Sequence, residues 1–141
     1  MIAYFDTSAF VPLLIQEPAS SFCERLWTEA DAVVTSRLLY VESAAALAQG
    51  RRSRRLTAGQ HNQALVALDR LWADFDVVEA DAELVGRAAE MTALATLRGY
   101  DAVHCAAAEQ VNEGDLVLAS GDRQLLTAAG AFGLAVADVN G

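Results

Sequence analysis

The chain has 141 residues, 54% of them hydrophobic, with a mean hydropathy of +0.25; this suits one domain with a real core, residues 1–141, and excludes a disordered chain. Its 10 basic residues are all arginine, which excludes chemistry that needs a pocket lysine, such as P-loop nucleotide hydrolysis or Schiff-base catalysis. The formal net charge of −9 repels nucleic acid at long range and excludes a simple charge-driven binder.

The chain opens with Ile2, Ala3, Tyr4 and Phe5, a short apolar run that reads as a strand buried on both faces in the middle of a parallel sheet. Asp6 stands where that strand ends, and in open α/β sheets ligands bind outside the carboxyl ends of the strands. Asp6, Thr7 or Ser8 also suits capping of the helix AFVPLLI that follows. Pro12 falls near the start of that helix, and Pro18 separates it from a second, ASSFCERLWTEA, with Phe22, Cys23 and Leu26 on one side. AVVTS, Ala32 to Ser36, is a second strand, and Ser36 is expected to cap RLLYVESAAALAQG, a helix closed by Gly50.

Within that helix Glu42 is spaced to lie among Leu38, Leu39, Ala45 and Ala46, the centre of an apolar stripe. A buried carboxylate must be protonated, paired or bound to a cation. Tyr40, Ala44 and Leu47 form a second apolar side, read as a subunit interface in preference to an internal face. RRSRR, Arg51 to Arg55, places four positive charges in five residues. It is either a solvated helix end whose dipole favours cations or a contact for phosphate or a partner.

A long helix from Leu56 to Asp74 begins near Thr57, with Leu65, Leu68 and Trp72 on its core side, and FDVVEA, Phe75 to Ala80, reads as a third strand. Asp81 is placed to cap AELVGRAAEMTALATL, ended by Arg98 and Gly99. YDAVHCAAAEQV is a helix with Asp101 in its first turn; LVLAS, Leu116 to Ser120, is the fourth strand, followed by Gly121, Asp122, the helix RQLLTAAG and a last strand, LAVADV. Strands alternate with helices and no linker or repeat intervenes. The expected fold is α/β: a three-layer α/β/α sandwich with a central, mainly parallel sheet of four to five short strands.

That topology gathers four acids. Asp6 and Asp122 follow strands, Glu42 lies in the second turn of a helix that follows one, and Asp101 opens a helix that runs antiparallel to the next strand, so all four start from the carboxyl edge. Each aspartate alone reads as a cap; together with a buried glutamate they do not. Unit charges about 4 Å apart repel by about 4 kcal/mol at an effective dielectric near 20. The balance is either an arginine network through Arg98 and Arg123 or a hard divalent metal, since all-oxygen ligands suit Mg²⁺ or Mn²⁺ over zinc. His104, three residues after Asp101, reads as a packed histidine. Cys23 and Cys105 lack metal-ligand spacing and read as buried reduced thiols. No apolar stretch is long enough for a bilayer and no secretory leader pattern opens the chain, so no membrane association and a cytoplasmic location are expected.

DTSAF at Asp6 to Phe10, TSRLLYVESAAAL at Thr35 to Leu47, LRGYDAVHCAAAE at Leu97 to Glu109 and VLASGD at Val117 to Asp122 resemble the four signature blocks of PIN-domain nucleases. In size and block spacing the chain is similar to VapC-type toxins of bacterial toxin–antitoxin pairs, from Ile2 to about Asp138. The resemblance implies an acidic quartet of Asp6, Glu42, Asp101 and Asp122 with accessory hydroxyls at Ser8 and Ser120. It further implies an Mg²⁺- or Mn²⁺-dependent endoribonuclease, homodimeric, bound by a small antitoxin whose C-terminal segment covers the groove. Asp6, Asp101 and Asp122 would be the principal metal ligands, and Glu42 would bind a second ion or help deprotonate the attacking water. The absent lysine and the acidic balance depart from the pattern. Two other readings are a catalytically silent protein-binding module on the same fold and an aspartate-nucleophile phosphatase. The second fits poorly, because Ser8 stands where its second acid belongs and the pocket lysine is missing.

Overall fold

Ile2–Phe5 forms β1, and Ala3, Tyr4 and Phe5 are fully buried. In the computed structural model, which describes residues 1–141, the other strands are β2 (Ala32–Ser36), β3 (Asp76–Val78), β4 (Leu116–Ser120) and β5 (Ala135–Asp138). They form one five-stranded sheet of order β3-β2-β1-β4-β5. Every neighbouring pair is parallel, and Ala3 on β1 registers with Val33 on β2 and Val117 on β4. The three-layer sandwich expected from the sequence is therefore present, with β1 at its centre.

Seven helices cover the two faces: α1 (Thr7–Phe10), α2 (Ser20–Glu29), α3 (Leu39–Arg52), α4 (Ala58–Trp72), α5 (Ala82–Leu94), α6 (Gly99–Val111) and α7 (Arg123–Ala131). Alternation along β1 divides the core. Tyr4 faces α5, α6 and α7, among Leu84, Met91, Ala102, Ala106 and Leu125. Ala3 and Phe5 face the other way, toward Phe10, Cys23, Leu68 and Phe75. On that side Phe75 meets Phe10 and Trp27 edge-on at ring-centroid distances of 5.1 Å, the favoured aromatic arrangement. On the other, small residues let α6 lie close: Ala102, Ala106, Ala107 and Ala108 are all buried.

Several boundaries move, each for a local reason. The helix expected over AFVPLLI is only Thr7–Phe10, and a 3-10 turn over Val11–Leu13 with Pro12 inside it follows instead, because proline cannot donate the next helical bond. Ser36 stays in β2 and does not cap α3; its hydroxyl accepts from the Leu38 N–H at 3.2 Å, and the helix starts at Leu39 with no side-chain cap. Glu42 therefore sits in the first turn of α3, not the second, where the helix dipole favours a carboxylate. Gly50 does not close α3, which runs on to Arg52. Its role is close approach: a Cβ there would stand 3.0 Å from Leu56 Cδ1. The strand expected over FDVVEA shortens to three residues, and α5 ends at Leu94 instead of at Arg98. Thr57 and Asp81 do cap α4 and α5, Thr57 in a reciprocal box with Gln60.

Part of the second apolar side of α3, read from the sequence as a subunit interface, packs against α4 within the chain, while Tyr40 itself is left 38% exposed. Tyr40 packs edge-on against Trp72 of α4 at 5.4 Å and donates its hydroxyl to Asp69 at 2.5 Å. Leu47 is buried beside Leu56 and Ala64. No helix is long and apolar enough to cross a membrane.

Cys23 and Cys105 are buried free thiols, and burial pushes both up to about 11. Each is thus unreactive for two reasons, steric and electronic. A disulfide-exchange thiol reagent at mildly alkaline pH is expected to label neither cysteine in the native protein and both after denaturation in guanidinium. Rapid native labelling would show that one face of the sandwich opens.

Candidate active site

β1 and β4 are neighbours whose connections leave on opposite faces: α1 and α2 carry the chain to β2 on one side, and α7 carries it to β5 on the other. At such a switch point the loops diverge and leave a crevice at the carboxyl edge. Here it is a cleft of about 840 Å³, and Asp6, Ser8, Glu42, Asp101 and Asp122 all line it. Ser120 lies just beneath, buried.

Asp6 is the deepest of the acids, only 4% exposed. Its Oδ1 accepts from the Ser8 hydroxyl at 2.7 Å and from the Ala9 N–H at 2.9 Å, and its Oδ2 accepts from the Ser120 hydroxyl at 2.6 Å. Burial pushes the Asp6 carboxyl above its usual value, while His104 and the three donated bonds pull the other way. The two serines stitch strand ends as well as hold the acid. Ser8 Oγ accepts from the Gly121 N–H at 2.7 Å, and Ser120 Oγ accepts from the Asp122 N–H at 2.9 Å. The hydroxyls thus fix the turn after β4 relative to the turn after β1.

Asp122 does cap α7, but with one oxygen only. Its Oδ1 accepts from the Gln124 N–H at 2.9 Å, while Oδ2 accepts from Arg98 Nη2 at 3.1 Å. Arg98 Nε donates to Asp101 Oδ2 at 3.1 Å, so a single guanidinium bridges two of the acids. It does so from an exposed position, its side chain 76% accessible. Arg123, the other arginine expected in such a network, makes no ion pair.

Glu42 is paired, as a partly buried carboxylate must be. Its Oε1 lies 2.7 Å from His104 Nε2, and His104 Nδ1 lies 2.8 Å from the Tyr4 hydroxyl. His104 and Tyr4 are both buried, and burial holds the Tyr4 phenol far above its usual value. A carboxylate only accepts, so Nε2 carries the hydrogen toward Glu42, and when the imidazole is neutral Nδ1 accepts from the phenol. The packed histidine of the sequence reading is therefore the residue that orients Glu42. The acids converge on one cleft yet remain in three separately tethered groups, and no three His, Cys, Asp or Glu side chains close into a ready-made metal cage.

A family model for the PIN domain matches residues 3–131. The chain belongs to the PIN-domain family. Ribonucleases VapC45 and VapC49 of Mycobacterium tuberculosis are each 42% identical to it over 136 residues, 96% of this chain and 94% of theirs. Among solved structures, FitAcB from Neisseria gonorrhoeae superposes with a TM-score of 0.73 at 20% identity, covering 99% of this chain and 98% of that one. The sarcin–ricin-loop-cleaving toxin VapC20 of M. tuberculosis superposes at 0.69 and 20% identity, covering 89% and 94%. Those two likenesses establish the fold alone.

In this PIN domain the residue that sequence reasoning missed is Tyr4. A signal existed, since it is the one hydroxyl in a strand expected to be buried on both faces, and a buried phenol seeks a partner. Tyr4→Phe removes the donor and strands His104 Nδ1 in a dry interior, which is expected to cost about 1–3 kcal/mol. Urea denaturation with an unchanged m-value checks it, and an unchanged midpoint would mean that the imidazole does not depend on the phenol.

Proposed function

We propose that this PIN domain is an Mg²⁺- or Mn²⁺-dependent endoribonuclease, the toxin of a type II toxin–antitoxin pair, working in the cytoplasm as a homodimer and held in hetero-oligomers by its cognate antitoxin. The observation that carries this reading is the convergence of Asp6, Glu42, Asp101 and Asp122 on one open cleft, in a chain 42% identical to ribonucleases. The antitoxin partner is supported by the fold shared with solved toxin–antitoxin assemblies such as VapBC-1 of Haemophilus influenzae, a likeness of TM-score 0.67.

The donors fit a hard dication. All are carboxylate or hydroxyl oxygens, and Mg²⁺ keeps several waters and binds through one or two carboxylates, so spread acids suit it better than a closed cage would. Asp6, Asp101 and Asp122 would hold the ion, with Glu42 beside a second ion or the attacking water. When bound, such an ion lends Lewis acidity to a phosphoryl oxygen and makes water more acidic.

The rest falls to the chain itself. Ser8 and Ser120 keep Asp6 in one orientation through both its oxygens. Arg98 balances Asp101 and Asp122, and because its side chain is mostly exposed the pairing is weak and gives way easily. Glu42, fixed by His104, is positioned to take a proton from water. His104, the one histidine that lines the cleft, is engaged at both nitrogens and the chain has no lysine, so the cleft offers no free base of either kind. Attack by water is favoured over attack by the 2′-hydroxyl, and single-stranded or looped RNA suits an open groove that grips backbone.

Purified protein freed of antitoxin is expected to cleave RNA when Mg²⁺ or Mn²⁺ is added, to stop with chelator, and to leave 5′-phosphate ends. Asp6→Asn and Asp101→Asn should each reduce cleavage to background while circular dichroism and the melting profile persist. Equal, slow turnover with metal and with chelator across a broad RNA panel would sink the proposal. Arg98→Ala removes a cation that competes for Asp101 and Asp122. It is expected to lower the Mg²⁺ concentration for half-maximal cleavage, and a raised requirement would recast Arg98 as a substrate contact.

A further inference from the structure

The catalytic reading leaves one sequence feature unused, the RRSRR stretch. Arg51, Arg52, Arg54 and Arg55 are all exposed and none is in an ion pair; Arg25, Arg70 and Arg123 are unpaired as well, but each of those stands alone. In a chain with 19 acids, four adjacent arginines without an acidic partner require explanation. Their side-chain bonds go to neutral groups: Arg52 Nη2 donates to Gln49 Oε1 and Arg55 Nε to Ser53 Oγ, both at 3.3 Å.

The helix dipole accounts for Arg51 and Arg52, which lie in the last turn of α3. It does not account for Arg54 and Arg55, which lie beyond it. The loop that carries them is built. Arg55 and Leu56 N–H groups both return to the Gly50 carbonyl, at 2.9 and 3.1 Å, and Leu56 anchors among Leu47 and Ala64. Gly50 permits that return, since a Cβ would crowd Leu56. Arg54 has φ 63, a left-handed position where glycine is the usual occupant, so an arginine is held there against backbone preference. Such strain collects at functional positions. Arg55, together with Gly50 and Leu56, lines the same cleft as the four acids.

We infer that Arg51, Arg52, Arg54 and Arg55 form a platform that grips the phosphates of single-stranded RNA, with the strand continuing past Arg55 into the cleft. This rests on the ribonuclease reading above. Guanidinium groups match phosphate oxygens bidentately, and a fixed row of them suits a regularly repeating singly charged backbone. The platform also resolves the conflict between a net charge of −9 and a polyanionic substrate. Over a Debye length of roughly 8–10 Å the nearest charges decide the field, and this loop carries four positive charges within five residues. Gln63, in the cleft wall with Arg55, offers a side-chain amide that both donates and accepts, suited to a base edge.

The test is binding of a fluorescently labelled single-stranded RNA in chelator, followed by anisotropy over a salt series, for the intact protein, a quadruple Arg→Ala variant of the loop, a quadruple Arg→Lys variant, and Arg25→Ala/Arg70→Ala as a control at exposed sites elsewhere. The quadruple alanine variant is expected to bind about tenfold or more weakly, with a log–log salt slope reduced by up to about 2.8, about 0.7 for each phosphate contact on a single strand. The lysine variant should retain most of the slope, and the control should change little. Matching losses in loop variant and control, or a slope unchanged by the alanines, would overturn the platform. So would a loop variant with normal RNA affinity that no longer retains the cognate antitoxin, which would assign the arginines to the protein partner. Cleavage measured in parallel with Mn²⁺ separates the two readings. RNA bound through the loop but never cut removes the nuclease and keeps the platform; cutting with KM unchanged in the alanine variant removes the platform and keeps the nuclease.

Discussion

The cleft is organised around one buried carboxylate. Asp6 ends the central strand, is almost fully enclosed, and receives three hydrogen bonds from Ser8, Ala9 and Ser120. Burial alone drives such a group toward the neutral acid, and donors drive it back toward the anion. The same serines accept backbone N–H groups from Gly121 and Asp122, so the acid's environment and the join between β1 and β4 are one set of bonds. A change at either serine disturbs both.

Like charges are tolerated here by division, not by mutual neutralisation. Asp6 is held by hydroxyls, Glu42 by the imidazole of His104, and Asp101 with Asp122 by Arg98. The three means differ in strength. The Tyr4–His104–Glu42 chain runs through dry interior, where hydrogen bonds are strong and an unmade one is costly. The Arg98 bridge is exposed and weak. Glu42 is therefore the fixed member and the pair Asp101 and Asp122 the adaptable one.

Much of this was legible in the sequence, and the parts that were not share a cause. β2 and β4 stand where the apolar runs AVVTS and LVLAS put them, because a strand packed on both faces has little freedom in its ends. Asp6, Asp101 and Asp122 were locatable because parallel strands all end at one edge, where a helix that follows a strand begins and from which a helix leading into the next strand runs back. What sequence periodicity cannot see is a partner far along the chain. Glu42 and His104 are separated by 62 residues and Tyr4 and His104 by 100, so local spacing left the glutamate merely in need of company. Ser36 and Gly50 were misread for the opposite reason. Each had a good local role, cap and stop, and a tertiary contact overrode it: Ser36 remains in the sheet, and Gly50 makes room for Leu56.

Gly50 also ties the chain's two charge features together. Had α3 stopped there, the four arginines would form a loose linker, and their charge would be spread over many conformations. Because the helix continues to Arg52 and the chain folds back on the Gly50 carbonyl, Arg55 is delivered to the wall of the acidic cleft. Net charge then misleads as a guide to partners. The acids crowd the floor of the cleft, the arginines stand toward its rim with no ion-pair partner, and the sum of −9 describes neither. A nuclease of the proposed kind would have to hold a cation and a polyanion side by side, which calls for opposite local fields within one cleft, and the left-handed backbone at Arg54 belongs to the loop that would supply the positive one.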